Sequence, residues 1–222
     1  MDWTALALSL RLAAWTIVIL LPLGIVAARA LAWRRFPGKA FVEALIAMPL
    51  VLPPTVLGYY LLVAVGSRSP IGRAYEAAVG HTLPFTFGGL LLASVIVNIP
   101  FALQPLQRAF ESVPVDIREA AWCSGMSPWK TFRRVELPLA WPGILSALAL
   151  TITHTLGEFG VVLMIGGNIP GETKTVAVAI YDRVQAMDDR AAATMSALLL
   201  TISLVAIATV YGIGRRVGHR HA

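Results

Sequence analysis

Apolar residues are not spread evenly along this chain. They gather in blocks of about twenty or more, each long enough to cross a hydrocarbon core of ~30 Å as a helix. Five such blocks stand at 6–31, 40–65, 85–106, 142–165 and 191–213. The pattern predicts an all-α membrane protein: a polytopic helical bundle of five transmembrane helices, forming one domain over 1–222 with its core at about 6–213. A short basic break, Trp33-Arg34-Arg35-Phe36-Pro37-Gly38-Lys39, parts the first two blocks. Longer connections at 66–84, 107–138 and 166–190 part the others.

The blocks are not plain lipid-facing cylinders. Pro49, Pro53 and Pro54 interrupt the second, and Asn98, Pro100, Gln104 and Pro105 the third. The fourth carries Thr151, His154, Thr155, Gly157 and Glu158. Freed backbone groups and polar side chains at this depth are tolerated only where protein or a water-filled cavity covers them. The pattern therefore fits a bundle around a pathway better than a simple anchor.

Composition sharpens this picture. With 57% hydrophobic and 14% charged residues, the chain is too apolar for an ordinary soluble domain. A single cysteine, Cys123, excludes an intramolecular disulfide and a cysteine metal cage. The first block does not read as a cleaved signal peptide, because Asp2 precedes it and its basic cluster follows it. Charge sets the orientation. With the N-terminus outside and the C-terminus cytoplasmic, twelve of the eighteen Lys and Arg fall on the inner side. These are Arg29, Arg34, Arg35 and Lys39, then Arg108, Arg118, Lys130, Arg133 and Arg134, then Arg215, Arg216 and Arg220. The net charge of +6 thus needs no nucleic acid, and the basic tail 214–222 reads as an anchor beside anionic lipid.

The inner connection 107–138 is heavily punctuated. Pro114 suits the first position of a helix, and Asp116 and Glu119 suit its early turns. Ile117, Ala120, Ala121 and Ser124 recur at i, i+3, i+4, i+7 as a stripe of mostly small residues. Gly125 suits a left-handed stop, and Ser127-Pro128 reads as cap and first residue of a second, basic helix halted before Pro138. On these residues alone, a helix lying on the membrane surface is the competing reading.

The same residues carry a resemblance. Glu119-Ala120-Ala121, then Gly125, then Val135-x-Leu137-Pro138 resembles the EAA signature of type I ABC importer permeases, with Val135 where the family usually has Ile. In that family the segment, here 111–138, is the coupling helix that docks on a cytoplasmic ATPase. The resemblance assigns the contact to Glu119, Ala120, Ala121, Gly125, Leu137 and Pro138. The stretch Leu52-Pro53-Pro54-Thr55-Val56-Leu57-Gly58-Tyr59-Tyr60-Leu61-Leu62 is similar to the second span of molybdate permeases. So are Gly157-Glu158-Phe159-Gly160 and Gly166-Gly167-Asn168-Ile169-Pro170-Gly171-Glu172-Thr173 to their fourth span and outer loop. Sulfate permeases share a Gly-Asn-Ile-Pro stretch, so tungstate and sulfate or thiosulfate remain alternatives to molybdate.

The resemblance implies a type I ABC importer permease fold working by alternating access in a bacterial or archaeal cytoplasmic membrane. It implies a homodimer, two ABC ATPase subunits and a periplasmic or extracellular oxyanion-binding protein. No Gly-x-x-x-x-Gly-Lys-Ser/Thr loop occurs, so ATP and Mg would be bound by the partner ATPase, leaving this chain without cofactor, resident metal or catalytic residues. By the resemblance, Gly167, Asn168, Pro170 and Gly171 lie at the outer mouth where the binding protein docks, and acidic Glu172, Asp182, Asp188 and Asp189 could meet its basic groups. An ordinary solvated connector is the alternative.

A doubly charged anion needs hydrogen-bond donors along its route. Thr151, His154, Thr155 and Glu158 share one helical face and are the candidates for pathway or gate. Interior hydrogen bonding, gating, and a metal or proton site are the three readings; two ligands without a third make a poor metal site. Arg11 either snorkels outward or pairs with an acid. An intramembrane enzyme would need Gly-x-Ser-x-Gly or His-Glu-x-x-His, and neither occurs. An ion-coupled secondary transporter would be expected to show an inverted repeat, and none is evident.

Overall fold

The computed structural model describes residues 1–218, with side chains to residue 212. The anticipated basic tail, with Arg215, Arg216 and Arg220, lies outside the described side chains.

Helix α1 (Trp3–Trp33) starts at Asp2, whose carboxylate accepts from the Ala5 N–H at 2.9 Å. The second block is not one straight span. It forms α2 (Lys39–Val51) and α3 (Pro54–Val65), bent by 112°. The cause is local: Pro53 holds Leu52 extended, and Pro53 and Pro54 remove two successive N–H donors. Two helices occupy stretches that the hydropathy pattern leaves as connections. These are α4 (Pro70–Val79), capped by Ser69, and, further on, α11 (Val176–Gln185), capped by Thr175. Both are short and lean apolar on one face only, so neither registers as a span.

Helix α5 (Phe87–Glu111) runs past the expected end of the third block. Next come α6 (Val115–Cys123) and α7 (Pro128–Thr131), then a π-helical turn (Phe132–Glu136) and the short α8 (Leu137–Leu139). Three local expectations need correction. Pro114 sits at the cap position ahead of α6. Pro138 does not halt the second helix, because the wider π turn ahead of it shifts the hydrogen-bond frame and leaves room for the ring. The chain turns instead at Ala140, by 67°, into α9 (Trp141–Gly157). Of the stripe Ile117, Ala120, Ala121 and Ser124, only Ala121 is buried. The fourth block breaks again after Gly157, and α10 (Gly160–Gly166) completes it. Finally α12 (Asp189–Gly218) forms the fifth span.

Packing fixes the directions. Leu8 and Leu12 of α1 lie with Leu90 of α5, and Ala28 lies with Leu106 and Phe110. So α1 and α5 run the same way, and α2–α3 must carry the chain back across despite the bend. Ala140, Ile144 and Ala147 join Ala28, while Val162 joins Leu8 and Leu12, so α9–α10 cross in the opposite sense. Met195, at the start of α12, packs with Ala5 and Val176. The bundle therefore allows up to five crossings, three by single helices and two by the bent pairs, with the N-terminus at one end and α6–α8 at the other. Close approach holds it: a Cβ at Gly143 would stand 2.7 Å from the Pro105 carbonyl oxygen and closer still to Ala109.

Candidate coupling face and intramembrane polar chain

Three parts of the bundle concentrate polar chemistry. At the α6 end, Gly125 adopts φ +77°, the left-handed conformation expected of it, and Met126 N–H closes the turn onto the Ala121 carbonyl at 3.1 Å. Ser127 Oγ accepts from Lys130 N–H at 3.4 Å and begins α7. The outward face of α6 presents Glu119 and Ala120 between Ile117, 43% exposed, and Trp122, 45% exposed. Pro138 is exposed and Leu137 half-buried. Exposed Ile117 and Trp122 on a short helix beside charged Asp116 and Glu119 mark a face suited to being covered.

The inward face is tied down by ions. Glu136 is 0% exposed. Arg118 Nε donates to its Oε1 at 2.9 Å, and Arg29 donates to it through both Nε and Nη2, the latter at 3.3 Å. The Arg118 guanidinium lies 3.6 Å from the Trp33 ring centroid and 5.0 Å from that of Trp122. Arg29 lies 5.2 Å from the centroid of Phe132. One carboxylate thus holds two guanidinium groups between aromatic plates.

Within the membrane, a second polar chain crosses the bundle. Thr16 of α1 and Ser94 of α5 share a hydroxyl hydrogen bond of 2.8 Å. Asn98 Nδ2 donates to the Ser94 carbonyl at 2.8 Å, and Asn98 Oδ1 meets His154 Nδ1 at 3.1 Å. His154 Nε2 faces Glu158 Oε2 at 3.7 Å, and Glu158 Oε1 accepts from Val161 N–H at 2.9 Å, capping α10. Because the Asn98 amide is spent as a donor, its oxygen calls for an N–H on His154 Nδ1. His154 also stacks on Phe101, centroids 3.8 Å apart.

The four residues expected to share a face do so, but the structure does not bring them to one opening. Thr151 and Thr155 are each 2% exposed and their hydroxyls have no partner among the described residues. Thr151 borders a narrow void with Leu20, Ala102 and Ala147. His154 is the one with side-chain exposure, 27%. Its neighbour Phe101 lines a hollow of about 510 Å³ with Leu50, Pro100, Gln104, Pro105, Arg108 and Leu150.

At the opposite end, Asn168 donates to both Asp182 oxygens at 2.9 and 3.0 Å, and Lys174 pairs with Asp182 at 2.6 Å. Burial alone would raise the Asp182 carboxyl, but the hydrogen bonds from Lys174 and Asn168 outweigh it and hold it below the usual range. Thr173 Oγ1 donates to the Gly166 carbonyl at 2.6 Å. The loop is a locked turn that leaves Asn168, Ile169, Pro170 and Gly171 outward and Gly167 half-buried. Arg11 is exposed, and its guanidinium lies 4.3 Å from the ring centroid of Phe87 at the start of α5 rather than against an acid.

In the sequence, Arg29 stands out only in the charge count and Arg118 only there and as a polar handle beside Glu119; Glu136 is not singled out. The available signal was Glu136 itself, the lone acid in the basic segment after Ser127, together with the i, i+4 spacing of Arg29 and Trp33.

A bundle with broken spans, an internal polar chain and an exposed helix-turn at one end is that of a membrane transport component. Residues 20–219 match the family described as binding-protein-dependent transport system inner membrane component. The chain belongs to that family, whose members are transport subunits and not enzymes. It is 47% identical over 210 residues to the molybdenum transport system permease protein ModB of Azotobacter vinelandii, covering 95% of this chain and 93% of that one. A probable sulfate transport system permease protein cysT of Chlorella vulgaris is 35% identical over 77% of this chain and 64% of its own length. Among solved structures, a bacterial ABC transporter that imports the acidic polysaccharide alginate superposes with a TM-score of 0.74. The match covers 96% of this chain and 78% of that one at 16% identity, and so shows the fold.

Proposed function

We propose that this chain is the permease subunit of an ATP-driven importer of molybdate, working as two copies with two ABC ATPases and an external oxyanion-binding protein. The observation that carries the reading is the α6 end. There a Gly125 turn presents Glu119, Ala120, Ile117 and Trp122 outward, while the opposite face of α6 is bonded into the bundle. A partner that moves α6 moves the spans. The basic α6 end faces the cytoplasm, and the loop at 167–171 faces the binding protein outside.

ATP and Mg act on the partner ATPases. Nucleotide shifts the permease because it favours one of two global states, drawing the coupling faces together and turning the bundle outward. The hollow beside α2, α5 and α9 supplies the inner route, where Gln104 and Arg108 offer donors and positive charge to a dianion. Phe101 with His154 forms the gate above it, and Glu158, as the cap of α10, orients rather than ligates. The identity of 47% to a molybdenum permease, against 35% to a sulfate permease, favours molybdate.

The test is uptake into vesicles holding the permease, its ATPase and the binding protein. Molybdate accumulation should need ATP and all three components, and tungstate should compete better than sulfate. Uptake driven by an ion gradient alone would overturn the importer reading. Stronger competition by sulfate would overturn the substrate.

A further inference from the structure

Helix α6 packs mainly on α7 and the π-helical turn that follow it, with no extensive backbone packing on the spans. Its connection to the spans therefore rests on side chains. Arg118 stands on the inward face, one residue from Glu119 on the outward one, and donates to Glu136 at 2.9 Å. The same carboxylate receives both donors of Arg29, near the end of α1, and Trp33 of that helix lies under the Arg118 guanidinium at 3.6 Å. Glu136 itself closes the π-helical turn, from which α8 leads into α9. One buried carboxylate thus joins α6, α1 and the entry to α9.

We propose that Glu136 is a positioning residue for transport, the joint through which displacement of α6 reaches α1 and α9 together. Two features fit a joint better than a stabilising contact. Buried ion pairs add little stability over apolar groups of the same shape, but they fix relative geometry, since each guanidinium accepts its carboxylate from few directions. The π turn, a common device at functional sites, sets Glu136 between the two arginines and adds an extra residue to the helix there. Glu136 and Arg118 are buried beside Trp33, while Arg29 reaches them from a partly exposed position beside Phe132, so the pair to Arg118 is the drier and stiffer arm of the joint.

The inference rests on the importer reading, and its test separates the two. The complete complex, with ATPase and binding protein, is reconstituted as wild type, as Glu136→Gln, and as the apolar triple variant Arg29→Met, Arg118→Met, Glu136→Leu. Molybdate accumulated and ATP hydrolysed are measured together. The expected result is that the assembled variants still hydrolyse ATP, while molybdate moved per ATP falls by about tenfold or more. The triple variant, which leaves no buried charge, is the one expected to assemble normally. A wild-type transport ratio in either variant overturns the proposal. So does loss of assembly in both, which makes the triad purely structural. Failure of the unmodified complex to couple ATP to uptake would instead count against the importer reading.

Discussion

The α6 end and the membrane interior both bury polar groups, yet they are built from different materials. At the α6 end one carboxylate is shared by two full cations, enclosed by Trp33, Trp122 and Phe132. In the interior, hydroxyls and an amide lead from Thr16 through Ser94 and Asn98 to His154, and the ionisable pair there, His154 and Glu158, stands 3.7 Å apart. The first arrangement has one geometry and a heavy penalty for losing it. The second is a string of dipoles, each worth about 1 kcal/mol net, that can exchange partners as helices slide. On the proposed function the two suit different tasks: a stiff part where a partner would push and a compliant part where a route would open and close.

Breaking the stiff part should cost most. Glu136→Leu alone leaves two guanidinium groups facing an apolar side chain, and the expected loss is about 3–5 kcal/mol. Thermal melting of the purified permease would show it, and a variant as stable as wild type would place the two arginines in solvent. A change at Gly125 acts on the same end without touching the triad. Gly125→Pro cannot keep φ +77° and loses the bond from Gly125 N–H to the Trp122 carbonyl at 2.9 Å. The expected local strain is roughly 2–3 kcal/mol, confined to the turn between α6 and α7. The spans should still insert, and co-purification of the ATPase should be lost. Retained co-purification would mean that the outward face of α6 is not the docking surface.

The compliant part should respond less. Asn98→Leu removes the partner of His154 and one donor to the Ser94 carbonyl, leaving the Thr16–Ser94 bond, and is expected to cost roughly 1–2 kcal/mol, with expression retained. Its sharper readout is in transport. If the chain serves only packing, uptake should follow the amount of protein; if it belongs to the gate, uptake per molecule should change while ATPase docking does not.

These two regions were unequally legible. The turn was written in local chemistry: Gly125 for positive φ, Ser127-Pro128 for a helix start, small residues at 120 and 121. Each depends on its neighbours in sequence, so spacing found it. The ion triad depends on residues 29, 118 and 136, which only the packing of α1 against the α6–α8 segment brings together. The five blocks foretold an apolar helical bundle, but not that the second would bend by 112°, since hydropathy is indifferent to direction and Pro53-Pro54 reads equally as kink or corner. Thr151 and Thr155 show the limit of helical periodicity. It placed them on one face with His154 correctly, but whether that face meets a cavity or another helix is decided by α1, α5 and α12.

The smallest effect is expected at the far end, in the loop held by Asp182. Its carboxyl is held below the usual range in the folded chain, chiefly by Lys174 and Asn168 acting against the burial that would raise it. The unfolded chain therefore binds the proton more readily, and stability rises with pH through the window between the two values. The contribution is complete above the ordinary carboxylate value of 3.8 and is lost only as pH falls below it, through the depressed folded value. Across the range in which cells operate, Asp182 should remain ionised and the turn closed. Binding-protein-dependent uptake should then show no titration between about pH 5 and 8 that Asp182→Asn removes. Because Lys174 and Asp182 are partly solvated, Lys174→Met should loosen the loop mildly, seen as faster amide exchange at 168–174 with no change at α6. Exchange that speeds up equally at both ends would contradict the division of the molecule into a stiff α6 end and an independently closed outer turn.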